Sequence, residues 1–238
     1  MLDRRCLALR LTLASLVVLA PVAGLIAGCS HAPTAPKTAS IAPAPPSAPQ
    51  AVATYLRGCW QDRSISEYWL LPTANFRFDF ASGDSSGTYY SSKPWARTDE
   101  LAAAQHLFVT GTSSQPPATS ITIDTTATTD AADPRPGKNP KWHRLVTMTA
   151  RVRIFFAESG FEFSGPSEFF VVRGDSAQIP ADLIAKGVKR DSTRWWLERW
   201  DDETLHTTSA EPAKSGLPSA RAEATEATTW GKIKALYR

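Results

Sequence analysis

Three cysteines, two methionines and four histidines are spread over 238 residues, and each scarcity closes a class of function. Cys6 and Cys29 fall in the first thirty residues, so Cys59 has no partner for a disulfide in the body of the chain and reads as a small buried apolar residue. No Cys-x-x-Cys, His-x-x-x-His or clustered Asp run supplies metal ligands at workable spacing, and no cofactor is expected. Charge of one sign is also lacking. The formal net charge is +3, of which Arg4, Arg5 and Arg10 against Asp3 account for two, so neither nucleic acid nor a polybasic membrane patch is indicated.

What the N-terminus does have is a targeting pattern. Arg4, Arg5 and Arg10 precede an apolar run from Leu11 to Ala27, interrupted by Pro21, as in a secretory signal peptide over residues 1–28. The run closes as Leu25-Ile26-Ala27-Gly28-Cys29, which resembles the bacterial lipobox. By that resemblance Cys29 is the lipidated new N-terminus, two acyl chains hold it in a membrane, and Ser30 after it implies the outer membrane, facing the periplasm. Residues 30–50 carry six Pro and six Ala in 21 positions, a composition that cannot bury a core and reads as a semi-rigid tether. Residues 51–238 are then one globular domain, with 207–229, rich in Thr, Ala, Glu and Ser, as a mobile excursion.

Within that domain the longest alternation is Leu145 to Phe156. Val146, Met148, Ala150, Val152, Ile154 and Phe156 are apolar at every second position, the period of a strand with one buried face, and its length suits the middle of a curved sheet. Before it, Val52, Tyr55, Leu56, Cys59 and Trp60 have the spacing of an amphipathic helix over Ala51 to Asp62. Ser64 and Glu67 fit a capping box for a short second helix ending before Pro72. Phe76, Phe78 and Phe80 share one face of a strand that turns at Ser82-Gly83-Asp84. Thr98, as N-cap, opens a third helix with Leu101, Ala104 and Phe108 as its stripe and Gly111 as its stop. Strands follow at Ser120 to Thr125, Ser167 to Arg173 and Arg194 to Trp200, with a Pro-rich loop over Asp130 to Pro140. The last of these, RWWLERW, has large side chains on both faces, as for a strand covered on two sides. Trp230, Ile233, Leu236 and Tyr237 mark a short docking tail.

Helices, one strand, a helix and then an antiparallel run is an element order similar to the nuclear transport factor 2-like superfold, which includes polyketide-cyclase-like and ketosteroid-isomerase-like proteins. RWWLERWDDET and TWGKIKALYR also resemble the C-terminal strings of secreted or lipidated members. The resemblance implies an α+β fold in which N-terminal helices pack in the concave face of a strongly curved antiparallel sheet, forming a cone with an apolar pocket. Tyr55, Trp60, Tyr68, Trp69, Phe78, Phe156, Glu168 and Trp195 are the candidate lining of that pocket. The competing architecture is a lipocalin-like barrel, suggested by Gly58-Cys59-Trp60.

Chemistry is sparse. Gly83-Asp84-Ser85-Ser86-Gly87 matches a hydrolase elbow, yet no helical pattern follows it and no His partner is evident, so a polar hairpin loop accounts for it. His106 lies about 140° around its helix from Leu101, on the solvated side. The resemblance to isomerases makes Tyr55 a candidate oxyanion donor and Glu168 the better acid, and the set is incomplete. Three functions stay open: an envelope lipoprotein whose cone takes a small apolar ligand, an interaction or homodimerisation module with a filled cone and an exposed apolar sheet face, and an isomerase- or cyclase-like enzyme.

Overall fold

Six strands form a single open sheet in the order β2-β1-β6-β5-β4-β3, and helices from both ends of the folded chain pack into one side of it. The computed structural model describes residues 44–81, 94–157, 159–203 and 228–238. The signal peptide, Cys29, most of the tether, the Gly83–Gly87 motif and nearly all of 207–229 lie outside the described residues.

Helix α1 (Pro49–Gln61) buries Val52, Ala53, Tyr55, Leu56, Cys59 and Trp60, the stripe its periodicity predicts. It starts two residues before Ala51, because Pro49 suits a first helical turn whose N–H has no partner to lose. Upstream, the Pro46 carbonyl accepts from Trp195 N at 2.8 Å, so the end of the Pro-rich stretch is part of the packed domain. Helix α2 (Ile65–Tyr68) follows. Ser64 stands at its N-cap without capping it, since its hydroxyl meets Ser66 Oγ at 3.4 Å and Glu67 is engaged by Tyr55 instead.

Strand β1 (Pro72–Asp79) turns Phe76 and Phe78 inward. The two-residue β2 (Trp95–Ala96) leads into α3 (Arg97–Gln105). Asp99, rather than Thr98, closes the start of α3 by accepting from Ala96 N at 3.1 Å. The helix continues as a π-turn, His106–Thr110, and stops at Gly111, whose φ of 67° is costly for residues with a Cβ. His106 holds that end together, its Nδ1 lying 2.9 Å from the Gly111 carbonyl.

The central strand is β4 (His143–Phe155), paired antiparallel with β3 (Ser120–Ala132) and β5 (Gly160–Arg173). Val146, Met148, Ala150, Val152 and Ile154 are all buried. Both neighbours run longer than their hydrophobic pattern suggests. In β3 the register shifts between Thr125 and Ala127, after which Asp130 pairs with Val146 and Ala132 with Arg144. This half is an edge with mostly exposed side chains, so no alternation marks it, and the Pro-rich loop begins at Asp133. In β5 the first half is hidden by Gly165-Pro166, yet Pro166 pairs only with Thr149 of β4. Strand β6 joins from Ser167 onward, so the missing proline N–H faces no partner strand.

Strand β6 (Trp195–Asp202) is antiparallel to β5 and parallel to β1, the single parallel pairing among the described residues. Both its faces are covered. Trp195, Leu197 and Trp200 join the main core. Trp196 joins a second cluster with Val172, Ala177 and Leu183 on the outer side, built by residues 174–194 and their helix α4 (Ala181–Ala185). The last element, α5 (Trp230–Leu236), returns to the inner side. The fold is therefore α+β with an open sheet, and a closed lipocalin-like barrel is excluded.

Two glycines give opposed predictions. A Cβ on Gly174 would lie 2.1 Å from the Asp191 carbonyl oxygen, whereas one on Gly58, inside α1, meets nothing within 4 Å. Gly174→Ala should lose about 2 kcal/mol in urea denaturation by forcing the backbone of the outer layer apart. Gly58→Ala should gain about 0.5–1 kcal/mol from helix propensity.

Candidate functional site

The inner side of the sheet is filled with aromatic rings. The Trp60 ring lies 4.7 Å from Trp230, 5.2 Å from Phe108 and 6.0 Å from Trp200, centroid to centroid. Phe78 and Phe169 meet Trp200 at 5.3 and 5.2 Å, nearly all edge to face, the arrangement the ring quadrupole favours. Helix α5 enters this cluster as a plug. Trp230, Ile233 and Tyr237 are buried, the Tyr237 hydroxyl donates to the Pro116 carbonyl at 2.7 Å, and Thr229 caps the helix by accepting from Lys232 N at 3.0 Å.

At the centre sits a charge. Lys234 shares the inward face of α5 with Trp230, Ile233 and Tyr237, four, one and three residues away, and its side chain is 2% exposed. Its Nζ is 2.9 Å from Glu100 Oε2, and the Glu100 side chain is fully buried. The same ammonium lies 3.4 Å from the Trp200 ring centroid and 3.5 Å from that of Phe78, inside the range of a cation–π contact. The other Glu100 oxygen accepts from the Tyr68 hydroxyl at 2.6 Å. A second inward carboxylate, Asp202 at the end of β6, accepts from Gly231 N at 2.8 Å and is 1% exposed.

Burial dominates the electrostatics. It lowers the Lys234 pKa to about 8, against the opposing pull of Glu100 and Asp202. Burial and the adjacent Glu100 carboxylate raise Tyr68 well above the ordinary phenol range. Cys59, buried in α1, is pushed up to about 12 by burial and then by Glu67 and Asp62, which makes it an inert thiol.

The eight candidate lining residues separate. Trp60, Tyr68 and Phe78 converge around Lys234. Tyr55 is buried away from it, its hydroxyl 3.2 Å from both the Glu67 carbonyl and Glu67 Oε2. Phe156 stacks on Tyr237 at 6.4 Å, and Trp195 is buried where β6 begins. Trp69 donates its indole N–H to Asp182 at 2.6 Å and carries the Arg97 guanidinium over its ring, tying α2 to the outer layer. Glu168 faces the other way. Phe169 is the inward residue of that pair, and Glu168 points outward with Phe170, opposite Asp201 and near Arg199. Burial and then Asp201 raise its pKa. Tyr55 and Glu168 thus do not share a cavity, and the isomerase pairing they would form is absent.

Sequence reading missed Glu100, Asp202 and above all Lys234, although a signal existed. Positions 230, 233, 234 and 237 form an i, i+3, i+4, i+7 stripe with a lysine inside it. Among the described residues no group of three His, Cys, Asp or Glu is placed to hold a metal ion, and no helix is long and apolar enough to cross a membrane. A cavity of 520 Å³ lies in the outer layer, lined by Ala74, Ile179, Ile184 and Val188 with Lys189 and Arg190.

No protein-family model matches the chain, and no curated protein matches it. Solved structures with a similar arrangement of elements include a nuclear transport factor 2-like superfamily protein from Salmonella enterica, 8% identical, covering 68% of this chain and 92% of its own, with a TM-score of 0.41. A nuclear transport factor 2-like protein from Rhodospirillum rubrum, described as of unknown function in nutrient uptake, is 11% identical, covering 65% and 96%, with a TM-score of 0.39. A conserved protein from Planctomyces limnophilus is 12% identical, covering 64% and 89%, with a TM-score of 0.40. At this distance no residue role passes from them to this chain.

Two predictions follow from the buried pair. Lys234→Met or Glu100→Gln alone should each cost about 3–5 kcal/mol, since each strands the other charge, while the double variant should be at least as stable as the natural chain; a double-mutant cycle in denaturant measures this. The folded Lys234 pKa of about 8 lies below its ordinary 10.5, so between these values the unfolded chain holds the extra proton and stability rises with pH. Relative to the double variant, the natural chain should become more stable as pH rises through that window.

Proposed function

We propose that this chain is an envelope lipoprotein, anchored through Cys29, whose inner compartment is a small-molecule binding site closed by its own C-terminal helix and carrying no catalysis. The observation that carries the reading is the Lys234–Glu100 pair inside an otherwise aromatic interior. For stability alone, Met or Leu at position 234 would serve as well, because a buried ion pair recovers little more than its desolvation cost. Retaining opposite charges there suits a compartment whose acid and rings recognise something.

An apolar ligand is not what this interior favours, and the enzyme reading loses its acid when Glu168 points outward. The interaction module is the second reading. It requires a filled interior, which α5 provides, and also an exposed apolar sheet face. The outward side chains of the sheet instead include Arg151 with Glu162 at 2.5 Å and Arg153 with Asp124, a salt-laced surface.

Two experiments test the proposal. Cys29→Ser should abolish labelling by radioactive palmitate and release the chain from membranes; labelling that persists would remove the anchor. Native mass spectrometry of the full chain from bacterial membranes in detergent should show a stoichiometric small adduct in a fraction of molecules. A clean apo chain that forms dimers would shift the assignment to the interaction module.

A further inference from the structure

We infer that the compartment is specific for a small organic ammonium ion, and that the Lys234 side chain is its internal occupant. The inference deepens the binding reading above and rests on it. What surrounds the Lys234 Nζ is the chemistry that recognises such ions: Trp200 and Phe78 present ring faces at 3.4 and 3.5 Å, Trp60 a third at 5.8 Å, and Glu100 a carboxylate at 2.9 Å. Three ring faces and one acid attract a cation and discriminate against an anion or a neutral molecule. Tyr68 fixes the acid from behind through its 2.6 Å hydrogen bond, so the cage does not depend on Lys234 for its shape. Asp202, buried at the end of β6 and accepting from Gly231 N at the start of α5, adds negative charge near the same ammonium.

The occupant is also placed to leave. Seven residues make a helix too short to be stable by itself in water, so α5 is held by its docking contacts alone. Burial weakens the hold of Lys234 on its proton, whereas a quaternary ammonium ion has no proton to lose and keeps its charge in the same cage.

The test uses the full chain in detergent, with n-butylammonium as probe and n-butanol as its neutral counterpart at matched ionic strength. In Lys234→Ala, where Trp230, Ile233 and Tyr237 still anchor α5, tryptophan fluorescence should report butylammonium binding about tenfold tighter than butanol, and Glu100→Gln added to it should erase the preference. In the natural chain, tetramethylammonium should raise amide hydrogen exchange across Trp230–Leu236 saturably, while sodium chloride does not. Equal binding of butanol and butylammonium overturns the inference, as does unmoved exchange in the natural chain; should Lys234→Ala fail to fold, the exchange result decides alone. A neutral ligand recovered from native membranes would leave the binding reading standing and remove this one.

Discussion

The structure depends on one interaction that hydropathy alone would forbid, an ammonium and a carboxylate 2.9 Å apart in the middle of an aromatic core. Neither charge is tolerable without the other, since an isolated ion in such a place costs several kcal/mol. The pair therefore couples α3, which carries Glu100, to α5, which carries Lys234, 134 residues further along the chain. Everything else in the interior accommodates it: Tyr68 on α2 satisfies the second carboxylate oxygen, and Trp200 on β6 and Phe78 on β1 supply the π-faces.

The outer layer answers a different constraint. Strand β6 sits between a parallel and an antiparallel neighbour, and its outward Trp196 needs a cover that the inner helices cannot give. Residues 174–194 provide it by leaving β5 at Gly174 and rejoining at Arg194, where the Gly174 N–H donates to the Arg194 carbonyl at 2.8 Å. Arg194 also donates to the Leu70 carbonyl at 2.5 Å, and Arg97 reaches Asp182 and the Trp69 carbonyl. These two cations thus tie the cover to the turn between α2 and β1, and the two apolar clusters meet at Trp69.

Much of this was legible because burial on one face leaves a periodic trace. The stripe of α1, the alternation of β4, and the double-sided bulk of Arg194 to Trp200 all correspond to elements whose environments differ between their faces. Legibility failed where that contrast vanishes. The second half of β3 is exposed on both faces and reads as a loop, and the first half of β5 is interrupted by Gly165-Pro166 at a position where β6 is not yet alongside. Parity also misled at β5: Phe169 and Phe170 are both buried, one by the inner rings and the other between the Arg135 and Arg199 guanidinium groups. Sequence cannot tell which phenylalanine faces inward, and Glu168 follows the wrong one.

The site itself was hidden for a sharper reason. Reading charged residues as solvated is sound for nearly every Lys and Glu, and the same habit removes Lys234 and Glu100 from any candidate pocket. Their placement shows only when the helical stripe is allowed to contain a charge. Such a pair costs free energy that an apolar pair would spare, and what it confers is discrimination. A methionine at position 234 would tolerate α5 sliding or rotating within a greasy interior, whereas an ammonium that must meet one carboxylate and the faces of two rings accepts a single seat. Gly231 narrows the choice further, because its backbone N–H must reach Asp202 while no side chain fits beside Phe80. In the proposed reading, the same selectivity that gives the tail one docked position would give the compartment a preference for one kind of guest.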